Sequence, residues 1–135
     1  MSEYLFVYGR LLPGRAPKGI AGVVAKLRRL GTATVPGVLY NLGQYPGAVL
    51  GPASGKRISG AIFRLPRDPA VLKKLDEYEE FDPANPDKSL FVRKRCRVAL
   101  ATGRILNCWI YEYNGTRAFA AKRGIIGHRH DQQAI

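Results

Sequence analysis

Two runs late in the chain, "LFVRKRCRVAL" (90–100) and "RILNCWIYEYN" (104–114), constrain the fold more than any other feature. Both alternate apolar and polar residues with the period of a strand, and Thr102-Gly103 between them is a tight-turn dipeptide, so together they predict one long β-hairpin. A hairpin is only marginally stable alone, so the rest of the chain must supply further strands and a core to cover it. In the first run Val92, Cys96, Val98 and Leu100 alternate with Arg93, Arg95 and Arg97, which predicts one buried face and one solvated row of guanidinium groups. Only Phe91 among aromatic residues shares the arginine face, whereas a nucleic-acid reader needs stacking aromatics interleaved along it.

Further strands are legible upstream. Tyr4 to Tyr8 is short, apolar and aromatic and ends at Gly9; "TATVPGVLYNLGQYPGAVL" (32–50) reads as strand, turn and short strand; "RISGAIFRL" (57–65) reads as another strand after a turn at Ser54-Gly55. Two helices interrupt them. In "IAGVVAKLRRL" (20–30), Ile20, Val23, Val24, Leu27 and Leu30 recur at helical spacing before Gly31. Asp68-Pro69 is an N-cap followed by an N1 proline, opening a helix expected to run to about Glu80. At 135 residues the chain fits one domain. Its division is expected at 1–114, with 115–135 a basic, weakly patterned tail.

No apolar run approaches the roughly 20 residues of a membrane span, and the first residues lack the pattern of a secretion signal, so a soluble, cytoplasmic protein is expected. Cys96 and Cys108 sit in apolar stretches without C-x-x-C spacing, which points to buried thiols rather than a disulfide or a metal site. His128, His130 and Asp131 form a lone H-x-H-D in the tail, a pattern read as solvated. No metal is expected.

The chain carries 22 Lys plus Arg against 10 Asp plus Glu, a net charge of +12. Five of those acids lie within "KLDEYEEFDP" (74–83): Asp76, Glu77, Glu79, Glu80 and Asp82. On a helix opening at Pro69, Leu72, Leu75 and Glu79 stand at i, i+3 and i+7, so Glu79 lies within the apolar stripe while Glu77 and Glu80 face outward and Asp76 borders the stripe. An inward carboxylate must be paired, hydrogen-bonded or functional, because burial without a partner is costly and raises its pKa. The neighbouring acids push the same way. Two readings stay open on periodicity alone: a general base near neutral pH, or a structural pair with one of the arginines.

The ordered set "FVYGRLLPG" (6–14), "PGVLYNLGQYPGAV" (36–49), "LDEYEEFDP" (75–83), "SLFVRKRCRV" (89–98) and "CWIYEYN" (108–114) resembles the γ-glutamylcyclotransferase-like, or AIG2-like, family. The resemblance implies a mixed α/β (α+β) fold: a small, largely antiparallel β-barrel with two inserted helices. It implies an enzyme without a cofactor that cyclises a γ-glutamyl group to 5-oxoproline and releases an amine or peptide. Glu79 matches the family's helix-end glutamate in a D-x-Y/F-E pattern. Tyr8, Gly9 and Leu11 match a Tyr-Gly-Thr/Ser-Leu turn whose backbone N–H groups hold the substrate, and successive N–H groups at such a turn form an anion-binding nest. Arg10 departs from the small hydroxyl residue usual there, and Glu80 from a glycine. Tyr45 and Tyr113 are candidates to line the cavity, against packing at its rim. The expected partner is a γ-glutamyl small molecule or peptide. Two rivals remain, a non-catalytic binding protein on the same fold, favoured by Arg10, and a nucleic-acid-associated protein, favoured by the basic charge.

Overall fold

The computed structural model describes residues 2–8, 18–41, 46–51 and 55–114. The order of elements is β1 (Glu3–Val7), α1 (Lys18–Val24), β2 (Arg28–Asn41), β3 (Pro46–Leu50), β4 (Arg57–Leu65), α2 (Pro69–Tyr78), a 3₁₀ turn (Pro86–Lys88), β5 (Phe91–Leu100) and β6 (Ile105–Tyr113). The strands lie in the order β3-β2-β4-β1-β6-β5, and β2 also pairs β5 through Ala33 opposite Leu100 and Thr34 opposite Ala99. That last pairing closes β2, β4, β1, β6 and β5 into a five-stranded barrel. Its pairs are antiparallel except β1 with β6.

The late hairpin forms as its pattern predicts, with Phe91 opposite Tyr113 at one end and Ala99 opposite Ile105 at the other. Gly103 takes φ 96°, a conformation that favours glycine, and donates to the Leu100 carbonyl at 2.8 Å. Cys96 and Cys108 face each other across this ladder as free thiols, Cys108 buried and Cys96 half-buried.

The outer face of β5 departs from expectation. Arg93 and Arg95 are not simply solvated: both lie over a shared neighbour, Trp109, with guanidinium carbons 4.2 and 4.1 Å from the centre of its ring. Arg93 also bonds Asp76, and Arg95 bonds Glu3. Period two placed these arginines on one face. It carried no information that the facing strand presents an indole there, flanked by carboxylates from other elements.

The first helix is also shorter than its apolar spacing predicts. It ends at Val24, and β2 begins at Arg28, so Leu30 is a strand residue, 38% exposed. Pairing with β4, Arg28 opposite Arg64 and Arg29 opposite Phe63, overrides the helical pattern, and the register slips between Arg29 and Gly31 around Leu30. Ile20 and Val24 still reach the core.

Strand β2 serves two partners in turn. Its first part pairs β4 as far as Pro36, opposite Arg57, and its last part pairs β3 from Gly37, opposite Leu50. Pro36, which has no N–H to give a ladder, sits at the changeover. Gly37 is required there by close approach: a Cβ would stand 2.6 Å from the Val49 carbonyl oxygen and 2.9 Å from Ile58 Cδ1.

Strand β1 runs through the middle of this assembly, and Leu5, Phe6 and Val7 are all fully buried, apolar on both faces. A side chain on Gly60 of β4 would collide with the Val7 carbonyl and stand 2.9 Å from the Phe6 ring. Glycine there lets the end of β1, and hence Tyr8, lie close against β4.

Candidate functional site

Helix α2 starts as the sequence indicates. The Asp68 carboxylate accepts the Ala70 N–H at 3.0 Å, and Pro69 holds the first helical position. Its buried stripe is Val71, Leu75 and Asp76, continued by Glu79 at the C-cap. Glu79 is still bonded to the helix, its N–H donating to the Leu75 carbonyl at 3.0 Å. Its side chain is thereby aimed at the core from the last turn, and the residue is 1% exposed. Neither carboxyl oxygen has a hydrogen-bond partner among the described residues.

Of the two readings open for Glu79, the arginine pair is not made among the described residues. The Arg93 guanidinium goes to Asp76, one turn earlier on the same helix. Burial alone pushes the Glu79 carboxyl well above the ordinary value of 4.5. The neighbouring acids expected to help, Asp76, Glu80 and Asp82, do not: Asp76 is paired with Arg93, while Glu80 and Asp82 are exposed and Asp82 is engaged with Asn85 and the Ala84 N–H.

Tyr8 and Tyr111 lie within electrostatic reach of Glu79, whose charge raises both hydroxyls' pKa in addition to the larger effect of burial. The Tyr8 hydroxyl donates to the Tyr111 carbonyl at 2.6 Å and accepts the Ala48 N–H at 3.2 Å. It thus ties β1, β6 and β3 together at the end of β1. Beside it, Glu112 accepts the Leu50 N–H at 2.8 Å and pairs with Lys94 at 2.7 Å. These two side chains satisfy donors on the edge of β3 that no strand covers among the described residues.

Below Glu79 lies a cluster that sequence reasoning missed. The Asp76 carboxylate accepts from Arg93 Nε at 2.8 Å and Arg93 Nη2 at 3.1 Å, and from the Tyr111 hydroxyl at 2.5 Å. Asp76 is 7% exposed, well inside the stripe it was expected to border. The signal was available in part, since positions 76 and 79 share a helix face. Its partners on β5 and β6 are long-range and left no local trace. Asp76 and Arg93 also wall a surface cavity of about 430 Å³ near the start of α2, with Glu3, Arg67 and Lys73; Glu79 is not among the residues lining it.

Of the other expected site residues, Tyr113 is half-buried with its ring 5.7 Å from that of Phe91. Gly9, Arg10, Leu11 and Tyr45 lie outside the described residues, as do His128, His130, Asp131 and the rest of 115–135. Among the described residues no cluster of His, Cys, Asp and Glu has the makings of a metal site, and no helix is long and apolar enough to cross a membrane.

The barrel with its inserted helices has relatives of known structure. The crystal structure of YkqA from Bacillus subtilis superposes with a TM-score of 0.65 at 23% identity, covering 84% of this chain and 36% of YkqA. That of an AIG2-like protein from Mus musculus superposes with a TM-score of 0.63 at 21% identity, covering 82% of this chain and 76% of that one. Both likenesses concern the fold. A curated relative, the gamma-L-glutamyl-butirosin B gamma-glutamyl cyclotransferase of Niallia circulans, is 32% identical over 111 residues, which is 82% of this chain. The chain spans 66% of that relative's length. The family model described as gamma-glutamyl cyclotransferase, AIG2-like, matches residues 5–129. The chain belongs to the gamma-glutamyl cyclotransferase, AIG2-like family.

Proposed function

We propose that this chain is a γ-glutamyl cyclotransferase that closes a γ-glutamyl group to 5-oxoproline and releases an amine or peptide, with Glu79 as general base. The observation that carries this reading is the Glu79 carboxyl, buried, without a partner among the described residues, and raised well above its ordinary pKa. A structural carboxylate at that depth would be neutralised by a cation or by donors. An unpartnered one has capacity left for a substrate's ammonium group and is basic enough to take its proton near neutral pH.

The step balances without a cofactor. The Glu79 carboxylate removes a proton from the substrate α-ammonium, and the free amine attacks its own γ-carbonyl carbon. A C–N bond forms and the carbonyl becomes an oxyanion, for which fixed N–H donors are required. The turn following Tyr8, matched to the family by Tyr8, Gly9 and Leu11, is the proposed source of those donors. Collapse of the intermediate breaks the bond to the leaving nitrogen, which takes the first proton back from Glu79; the ring nitrogen, cationic after the attack, gives its extra proton through the freed carboxylate to the departing amine, which leaves as an ammonium. The relative from Niallia circulans is named for a γ-glutamyl compound, and this supports the same acyl group as the recognised part here.

The test is a panel of γ-glutamyl amines and peptides assayed for 5-oxoproline, with wild type and Glu79→Gln side by side. Release is expected from at least one compound, and the substitution is expected to lower the rate by about 10²–10⁴, the usual contribution of a general base. Activity of the variant close to that of wild type ends the assignment of Glu79. A second reading, ligand binding without turnover, is favoured by Arg10 in place of the family's small hydroxyl residue. Binding of 5-oxoproline with no release from any compound would select it.

A further inference from the structure

We infer that Asp76 is a positioning residue for the reaction proposed above: held by Arg93 and Tyr111, it fixes the end of α2 that carries Glu79 and cancels the arginine's charge beneath it. The inference rests on that functional reading for its consequence in catalysis, but the electrostatic part can be measured without turnover.

The mechanical part follows from the bonds. Arg93 grips both carboxylate oxygens of Asp76, and Trp109 and Phe81 confine the guanidinium, at 4.2 and 5.8 Å from its central carbon. A planar fork so confined fixes direction as well as charge, which a lysine does not. The Asp76 carbonyl accepts the Phe81 N–H at 2.9 Å, closing the backbone over Glu79, so the anchored residue and the end of the helix are one piece. Tyr111 is held at both ends. Its hydroxyl donates to Asp76, and its carbonyl accepts from Tyr8. A continuous path therefore runs from Arg93 through Asp76 and Tyr111 to Tyr8, joining the helix that bears Glu79 to the end of β1.

The electrostatic part follows from what surrounds Glu79. From β1 comes Tyr8 and from β6 Tyr111, both neutral; α1, packed against α2, gives Ile20 and Val24 to the core. Tyr111 lies within reach of Asp76, Arg93 and Glu79 at once, and Tyr8 within reach of Glu79 and Glu112. Glu112 is balanced by Lys94 and Asp76 by Arg93, so each charged pair near the site sums to zero. Glu79 and Arg93 both act on the Tyr111 hydroxyl, so removing the Asp76 charge alone leaves an unbalanced guanidinium one side chain away from the proposed base. A nearby cation favours the carboxylate over the acid and makes it a weaker base.

The test titrates the Glu79 carboxyl in the full chain by its infrared carbonyl stretch, identified by its loss in Glu79→Gln. In Asp76→Asn the midpoint is expected to fall by about 1–2 pH units, the usual effect of an unscreened opposite charge nearby. In Asp76→Asn with Arg93→Met it is expected to return toward the wild-type value. An unmoved midpoint in folded Asp76→Asn, or one that stays low in the double variant, overturns the proposal. Should Asp76→Asn fail to fold, Arg93→Met alone decides: the midpoint must hold or rise, and a fall overturns it. In active protein the acid limb of kcat/KM must move with the midpoint. If wild type releases no 5-oxoproline the functional reading fails, while the titration still decides the role of Asp76.

Discussion

Glu79 and Glu80 are adjacent in the chain and opposite in circumstance: Glu79 caps α2 with φ −84° and 1% exposure, while Glu80 is exposed with φ 55°. Two bonds enforce the difference, from the Glu80 N–H to the Glu77 carbonyl at 3.1 Å and from the Phe81 N–H to the Asp76 carbonyl at 2.9 Å. They form the paired-bond ending that normally places glycine in the left-handed residue. Reversing the chain at Glu80 is what leaves Glu79 pointing inward.

The strain at Glu80 gives a direct prediction. A non-glycine residue in the left-handed region costs about 1 kcal/mol relative to glycine. Glu80→Gly is therefore expected to raise the melting temperature while leaving 5-oxoproline release intact, because the side chain faces solvent. Loss of stability in thermal denaturation would show that the Glu80 side chain holds the turn through contacts worth more than the strain.

Stability should also report on Glu79. Its folded pKa is raised above the unfolded value near 4.5, so the folded state prefers the protonated form. The stabilising contribution is complete below pH 4.5 and is lost as pH rises through the folded pKa. Glu79→Gln, which is neutral throughout, is expected to gain stability over wild type as pH increases above 4.5. Denaturant melts from acid to mildly alkaline pH check the sign, and a difference that shrinks with rising pH contradicts the burial argument.

A third prediction separates bracing from substrate contact at Tyr8. Its hydroxyl proton is committed to the Tyr111 carbonyl, and its oxygen accepts the Ala48 N–H. Tyr8→Phe leaves both groups buried without that partner, a loss of about 1–3 kcal/mol. Stability is expected to fall while the folded variant keeps its affinity for a γ-glutamyl ligand. Unchanged stability with lost binding would mean that the hydroxyl serves the substrate.

What the sequence disclosed about this architecture was whatever has a local cause. The β5–β6 hairpin follows from period-two alternation across Thr102-Gly103, and the start of α2 from Asp68-Pro69. Glu79 stands out because a carboxylate in an apolar stripe violates the pattern around it. The parts that stayed hidden depend on contacts distant in sequence. Leu27 and Leu30 carry a helical spacing that pairing of Arg28 and Arg29 with β4 overrides. Asp76 reads as a stripe-edge acid until Arg93 and Tyr111, 17 and 35 residues away, come together on it. The Arg93–Trp109–Arg95 stack is set by register between two strands, which alternation within either strand does not specify.

Arg10 is the point at which this chain leaves the family's turn pattern, and the last prediction concerns it. A γ-glutamyl ligand carries an α-carboxylate as well as the reacting amine and carbonyl, and a guanidinium is suited to bind such a group through two parallel hydrogen bonds. Contact with a carboxylate that takes no part in bond making stabilises bound substrate and transition state alike, so its removal weakens binding without slowing chemistry. Arg10→Thr, which restores the family's residue type, is accordingly expected to raise KM and leave kcat nearly unchanged. An arginine paired with Glu79 would behave otherwise, because the pairing cation lowers the pKa of the carboxyl and weakens it as a base; removing that cation would raise kcat. Steady-state kinetics on any accepted γ-glutamyl compound decides between them, and a rise in kcat would transfer Arg10 from the substrate to Glu79.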